Sequence, residues 1–188
     1  MQALALTCYP SAPCGYVRAV SVRADWVSDC LLALHYRVEG EVGELQLPPR
    51  CPSAHTDRLW QHTCFEAFVK LGDRRAYLEL NFSPSSEWAI YSFDDYRRGR
   101  KPRVPEYPPE IMSERRSEDL LEVDVTVHLD GLFTEHARTD RLRFGLTAVL
   151  EDRRGQLSYW ALAHPSARPD FHHADSFALS LPEPGVTA

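Results

Sequence analysis

Apolar and polar residues alternate with a period of two along much of this chain, and no long window repeats the i, i+3, i+4, i+7 spacing of an amphipathic helix. The clearest runs are Cys30–Glu39, with Leu32, Leu34, Tyr36 and Val38 on one side, and Leu121–Leu129, with alternate residues from Leu121 to Leu129 all apolar. Similar runs cover Leu142–Leu150 and Leu157–Ala163, and the turn-like Asp152–Gly155 between them predicts a hairpin. Phe65–Leu71, Tyr77–Phe82, Trp88–Phe93 and Phe177–Leu181 complete the set of expected strands. Alternation with one apolar and one wet side is the signature of antiparallel sheets. The expectation is one all-β domain over residues 1–188, an antiparallel β-sandwich of jelly-roll-like type.

Two proline-rich stretches, Pro48–Pro52 and Pro102–Pro109, must be loops or edges, because proline cannot donate to a ladder. Leu132–Ala137, after Asp130-Gly131, is the one candidate for a helical turn or two, and the end from Pro182 is expected to fray. A chain of 188 residues can bury about 70% of its unfolded surface in a single core, so it needs no staples.

The net charge of −6 opposes binding to a phosphate backbone, so no nucleic-acid partner is expected. The basic run Arg97, Arg98, Arg100, Lys101 and Arg103 departs from that balance; it is read as a solvated loop, with a phosphate or acidic sugar as its alternative partner. The opening MQALALTCYP lacks a basic n-region, and no window approaches the ~20 apolar residues of a membrane span. A cytoplasmic protein without a membrane partner is the expectation. Five cysteines without CxxC spacing read as reduced thiols.

In Tyr77–Phe82 the pleat sorts Tyr77, Glu79 and Asn81 away from Leu78, Leu80 and Phe82. If this run pairs with Phe65–Leu71 through a turn at Leu71–Arg75, Glu66 joins Glu79 and Asn81 on one face. Two carboxylates and an amide can hold hydroxyls in fixed geometry, and rings beside them can stack on a sugar. Trp60, Trp88, Tyr91 and Trp160 are the candidate rings, set against the alternative that tryptophans plug the core. The same carboxylates could act as a glycosidase acid and base, or offer hard oxygens to calcium, although no DxDxDG loop is present. His164 and His172, in HPSARPDFHHAD, could join Glu66 in a metal site; the plainer reading is loop histidines bonded to backbone or carboxylates. No GxSxG, GxGxxG, P-loop or HExxH motif occurs.

The segments WQHTCFEAFV, YLELNFSPSSEWAIYSFDDYRRG and LAHPSARPDFHHADSFALSL resemble bacterial DOMON-like domains, relatives of the family 9 carbohydrate-binding modules, and the resemblance spans nearly all of the chain. It implies a β-sandwich that binds sugars, or in some members haem, on one sheet and its rim. The matching positions are Trp60, Thr63, Cys64, Glu66, Glu79, Asn81, Ser83, Trp88, Tyr91, Tyr96, Arg97, His164, Pro165, Asp170 and His172. Haem of the DOMON kind resembles a cytochrome centre with Met and His ligands, and here only Met1 and Met112 could serve.

Residues and resemblance together lead to a non-catalytic module with no cofactor that binds a small ligand, a sugar or sugar derivative. Its expected site residues are Trp60, Glu66, Glu79, Asn81, Trp88, Tyr91, Tyr96, Arg97, Trp160, His164 and His172. A haem or metal protein and a glycosidase-like enzyme are the alternatives.

Overall fold

The alternating runs fold into strands whose partners lie far apart in the chain. The computed structural model describes residues 2–133 and 142–181. Its strands are Leu4–Cys8 (β1), Val17–Trp26 (β2), Leu31–Gly40 (β3), Ala54–His55 (β4), Cys64–Leu71 (β5), Tyr77–Phe82 (β6) and Glu87–Phe93 (β7). They continue with Lys101–Pro102 (β8), Glu110–Ser117 (β9), Leu120–His128 (β10), Leu142–Glu151 (β11), Leu157–Ala161 (β12) and Leu179–Ser180 (β13). The helices among the described residues are short 3-10 turns at Val42–Glu44, Leu59–Gln61 and Ala174–Ser176. The expected helical turns of 132–137 lie, from residue 134 onward, outside the described residues, as does the end from 182.

The strands join in the order β4-β7-β6-β5-β11-β12-β1-β2-β3-β10-β9, with β13 on β11 and β8 on β7. Every pair is antiparallel except β4 with β7, so the result is a mixed sheet. The sheet curls on itself. Its turning point is β1, which pairs with β2 through Leu4–Leu6 and with β12 through Thr7 and Cys8.

Curling presses the apolar sides of the two halves together. From one half come Leu32, Leu34, Tyr36 and Val38; from the other, Phe65, Leu78, Leu80, Phe82 and Phe144 meet them, all almost wholly buried. Each such side chain contributes about 1.5–3 kcal/mol through removal from water. Across the interface the Tyr36 hydroxyl donates to the Glu66 carbonyl at 2.8 Å, and the Tyr36 and Phe65 rings lie 4.9 Å apart.

Strands β1, β2 and β9, and the two-residue β4 and β8, fall outside the expected set. A bulge between Val17 and Ala19 shifts the pairing register at the start of β2, and β9 is mostly exposed, so its residues carry no apolar stripe. A larger difference concerns β5 and β6, which are buried at every position rather than on one side. The chain after β12 lies across their outer face and forms a second apolar cluster with Phe68, Tyr77, Phe93, Phe171 and Phe177. Gly145 on β11 permits this approach: a Cβ there would sit 2.9 Å from the Ser176 carbonyl oxygen.

Candidate functional site

Ladder register builds the site. Residues directly opposite one another in an antiparallel pair share a face. Glu66 stands opposite Asn81 on β6 and Thr147 on β11, Phe68 stands opposite Glu79, and Glu79 stands opposite Tyr91 on β7. Two adjacent rows of the outer face thus carry two carboxylates, an amide and a hydroxyl: Thr147, Glu66 and Asn81 in one, Phe68, Glu79 and Tyr91 in the next. Above them opens a cavity of about 500 Å3. Trp60, Phe68, Phe93, Tyr159 and Phe171 supply its rings. Its polar groups come from Glu66, Glu79, His172 and three arginines, Arg97, Arg100 and Arg168.

Both acids at the base hold their protons more tightly than usual. Burial, reinforced by the charge of Glu79, pushes Glu66 up from 4.5 to about 8, against a hydrogen bond from the Thr147 hydroxyl to Oε2 at 3.0 Å. At neutral pH Glu66 is therefore mainly a neutral acid, with Oε1 left for the cavity. Burial also raises Glu79, and the Asn81 amide, which donates to its Oε1 at 2.9 Å, opposes that rise. Asn81 is fully buried and accepts the Cys64 thiol at 3.7 Å, so it positions Glu79 instead of reaching a ligand.

His172 closes the base from above. The Tyr77 hydroxyl accepts the Arg97 backbone N–H at 3.1 Å and can donate to Nδ1 of His172 at 2.8 Å. This leaves the Nε2 hydrogen facing the Glu79 carboxylate, 3.7 Å away. Burial, helped by the charge of Arg97, pushes His172 down to about 4, so the ring is neutral at physiological pH.

Two of the rim arginines, Arg97 and Arg100, are held by acids behind them. Arg97 donates to Asp170 Oδ1 at 2.9 Å while the Tyr96 hydroxyl donates to Oδ2 at 2.6 Å. Burial would raise Asp170, but these two donors outweigh it and hold the carboxyl below its usual range. Arg100 pairs with Asp57 and lies 3.8 Å over the Tyr91 ring, whose hydroxyl also donates to Asp57. The basic run is thus no plain solvated loop: Arg97 and Arg100 turn inward, and Arg103 donates to the Gly131 and Leu132 carbonyls.

Of the expected residues, Trp60, Glu66, Glu79, Arg97 and His172 line the cavity. Asn81 and Tyr91 stand behind it, and Tyr96 lines a neighbouring cavity. Trp88 and Trp160 are corrections, since both face the main core. Trp88 lies opposite Phe82, on the side of β7 away from Tyr91, and its indole donates to Ser53 at 3.2 Å. Trp160 lies opposite Ala148 and donates to Ser158 at 3.1 Å. His164 is a third correction: its Nε2 meets the Thr7 carbonyl at 2.8 Å and its ring stands edge-on to Tyr9, so it does not join Glu66 and His172 in a metal site. Among the described residues, metal-like spacing occurs in Cys30, His128 and Asp130, which are not part of this cavity.

Several lining residues were missed. Phe68 and Phe93 were within reach of pattern reasoning, because each lies two places along a strand from a residue already assigned to the face, Glu66 and Tyr91. Tyr159 stands on β12 opposite Val149 of β11, whereas Arg168 and Phe171 arrive through the covering segment and carry no local signal.

No protein-family model and no curated protein matches the chain. Among solved structures, a candidate carbohydrate-binding protein of Bacteroides uniformis ATCC 8492 matches with a TM-score of 0.71 and 15% identity, over 93% of this chain and 83% of that one. A family 9 carbohydrate-binding module of Caldicellulosiruptor kristjanssonii in complex with cellotriose matches with a TM-score of 0.54 and 14% identity, over 88% and 74% of the two chains. The glucose complex of such a module from the same organism gives 0.50 and 12%, over 84% and 72%. At these identities the likeness is one of fold: this chain has a fold similar to that of family 9 carbohydrate-binding modules.

Proposed function

We propose that the protein is a non-catalytic sugar-binding module, a DOMON-like β-sandwich of jelly-roll type that takes its ligand in the cavity over β5 and β6. The observation that carries this reading is the pairing of ring walls with a buried acid pair in one cavity of about 500 Å3, a volume suited to a small ligand. A pyranose presents C–H faces to rings and hydroxyls around its edge. Trp60, Phe93 and Phe171 meet the former. Glu79 accepts hydroxyl hydrogens, neutral Glu66 both donates and accepts, and Arg97 and Arg100 donate to ring and hydroxyl oxygens. The fold shared with modules solved with cellotriose and glucose supports the same class of ligand.

Calorimetric titration with neutral sugars, glucose and cellotriose first, tests the proposal. Trp60 is 43% exposed and can be truncated without opening the core. Trp60→Ala should weaken binding by up to about tenfold, the worth of one ring contact, and leave the melting temperature unchanged. Absence of binding across the panel, or equal affinity in the variant, would refute the reading.

A glycosidase-like enzyme is the second reading, favoured by one observation: Glu66 is held as an acid beside Glu79, the division of labour an acid catalyst needs. Turnover of aryl glycosides by the wild type, lost in Glu66→Gln, would establish it over the binding module.

A further inference from the structure

A second cavity, of about 540 Å3, adjoins the first, and Arg168 and His172 border both. Its character is set by charge. Of its acids, Asp95 is paired with Arg75 at 3.1 Å, Asp73 with Arg143 at 3.5 Å, and Asp170 with Arg97 and Tyr96. Among the described residues, two of its cations, Lys70 and Arg168, have no carboxylate partner. Lys70 is only 8% exposed, its ammonium stands 5.0 Å over the Phe177 ring, and no described carboxylate lies within ion-pair distance of it. Arg168 is exposed and likewise has no carboxylate partner among the described residues.

A lysine buried to this degree normally has a counter-charge. Burial lowers the proton affinity of Lys70 and nearby Arg143 lowers it further, with Asp73 and Asp175 opposing. An anion entering the cavity would supply a counter-charge that the described residues do not. Strand β5 aligns the two compartments: Glu66, Phe68 and Lys70 follow one another on its outer face, so the acid and base ends lie about 13 Å apart at the backbone.

We propose that the second cavity is an anion subsite, in which Lys70 and Arg168 hold the carboxylate or phosphate monoester of a ligand whose ring lies in the first cavity. The ligand class is therefore an acidic sugar, and this rests on the sugar-binding reading. Arg168, at the shared border, provides a planar pair of donors for either anion, and Lys70 provides a point charge beneath it. The groups of the first cavity recognise the ring.

The test compares glucose, glucuronic acid and glucose 6-phosphate by calorimetry, with inorganic phosphate alone followed by thermal melting. At least one charged sugar should bind about tenfold or more tightly than glucose, an advantage that shrinks as salt rises. Lys70→Met should remove that advantage and leave glucose affinity unchanged, and Arg168→Ala should remove it too. Phosphate should raise the melting temperature of the wild type and have no effect on the double variant. The two anion types distinguish carboxylate from phosphate recognition. Equal affinities for glucose and both charged sugars overturn the subsite and leave the sugar reading standing. If no sugar binds, that reading falls, and a wild-type melting temperature insensitive to phosphate overturns the subsite as well.

Discussion

Replacing Glu66 with glutamine isolates the largest electrostatic perturbation in the site. The amide is nearly isosteric and its carbonyl can still accept the Thr147 hydroxyl, now at 3.0 Å from Oε2, so packing should survive. What disappears is a proton preference. Glu66 rises from 4.5 to about 8 on folding, which at 1.36 kcal/mol per tenfold change in proton affinity amounts to about 5 kcal/mol. The folded state holds the proton more tightly than the unfolded state, so this stability is fully present at low pH and is lost as pH climbs through the folded value. Relaxation of the surroundings about the buried charge makes the figure an upper bound. His172 works in the opposite sense below about pH 6.5: its folded value of about 4 means stability rises with pH there. That contribution is common to both proteins and cancels in their difference. Urea unfolding of wild type and Glu66→Gln across this range is the assay. The stability of the variant relative to wild type should grow by several kcal/mol between about pH 5 and pH 8. Parallel stability curves would refute the placement of Glu66 as a buried, neutral acid.

Two further variants probe the architecture around the cavity. Trp88→Ala should cost about 3–5 kcal/mol in urea unfolding, because Trp88 is 4% exposed within the main core, and it should leave sugar affinity of the folded protein unchanged; a near-neutral change in stability would return Trp88 to the surface. Gly145→Val should cost about 1–3 kcal/mol and expose residues 162–178 to limited proteolysis, because its Cβ would meet the Ser176 carbonyl at 2.9 Å and the Phe68 Cβ at 3.5 Å; an unchanged cleavage pattern would show that the segment does not depend on that contact.

The reach of pattern reasoning in this chain follows from what the pleat encodes. Side-chain direction alternates strictly along a strand, so once Phe65–Leu71 and Tyr77–Phe82 are taken as a hairpin, Glu66, Glu79 and Asn81 must share a face, as the register has them. The same rule argues against Trp88 as a partner of Tyr91: residues three apart on one strand point to opposite sides. Trp88 has the aromatic character of a binding face but the parity of the core, where it packs opposite Phe82. Parity alone, however, cannot say which face is open when both are covered. On β5 and β6 the cover comes from residues 162–178, which return over the sheet after β12 and bring Arg168, Phe171 and His172 to a floor laid down nearly a hundred residues earlier. No local period reports such a return, because it depends on a glycine with no side chain and on ring contacts between residues far apart in the chain. The floor of the site is a local property of two strands and is legible. Its roof, which buries Glu66 and sets the Lys70 ammonium over the Phe177 ring, belongs to the closed fold, so the chemistry most open to test is the part that strand pattern could not supply.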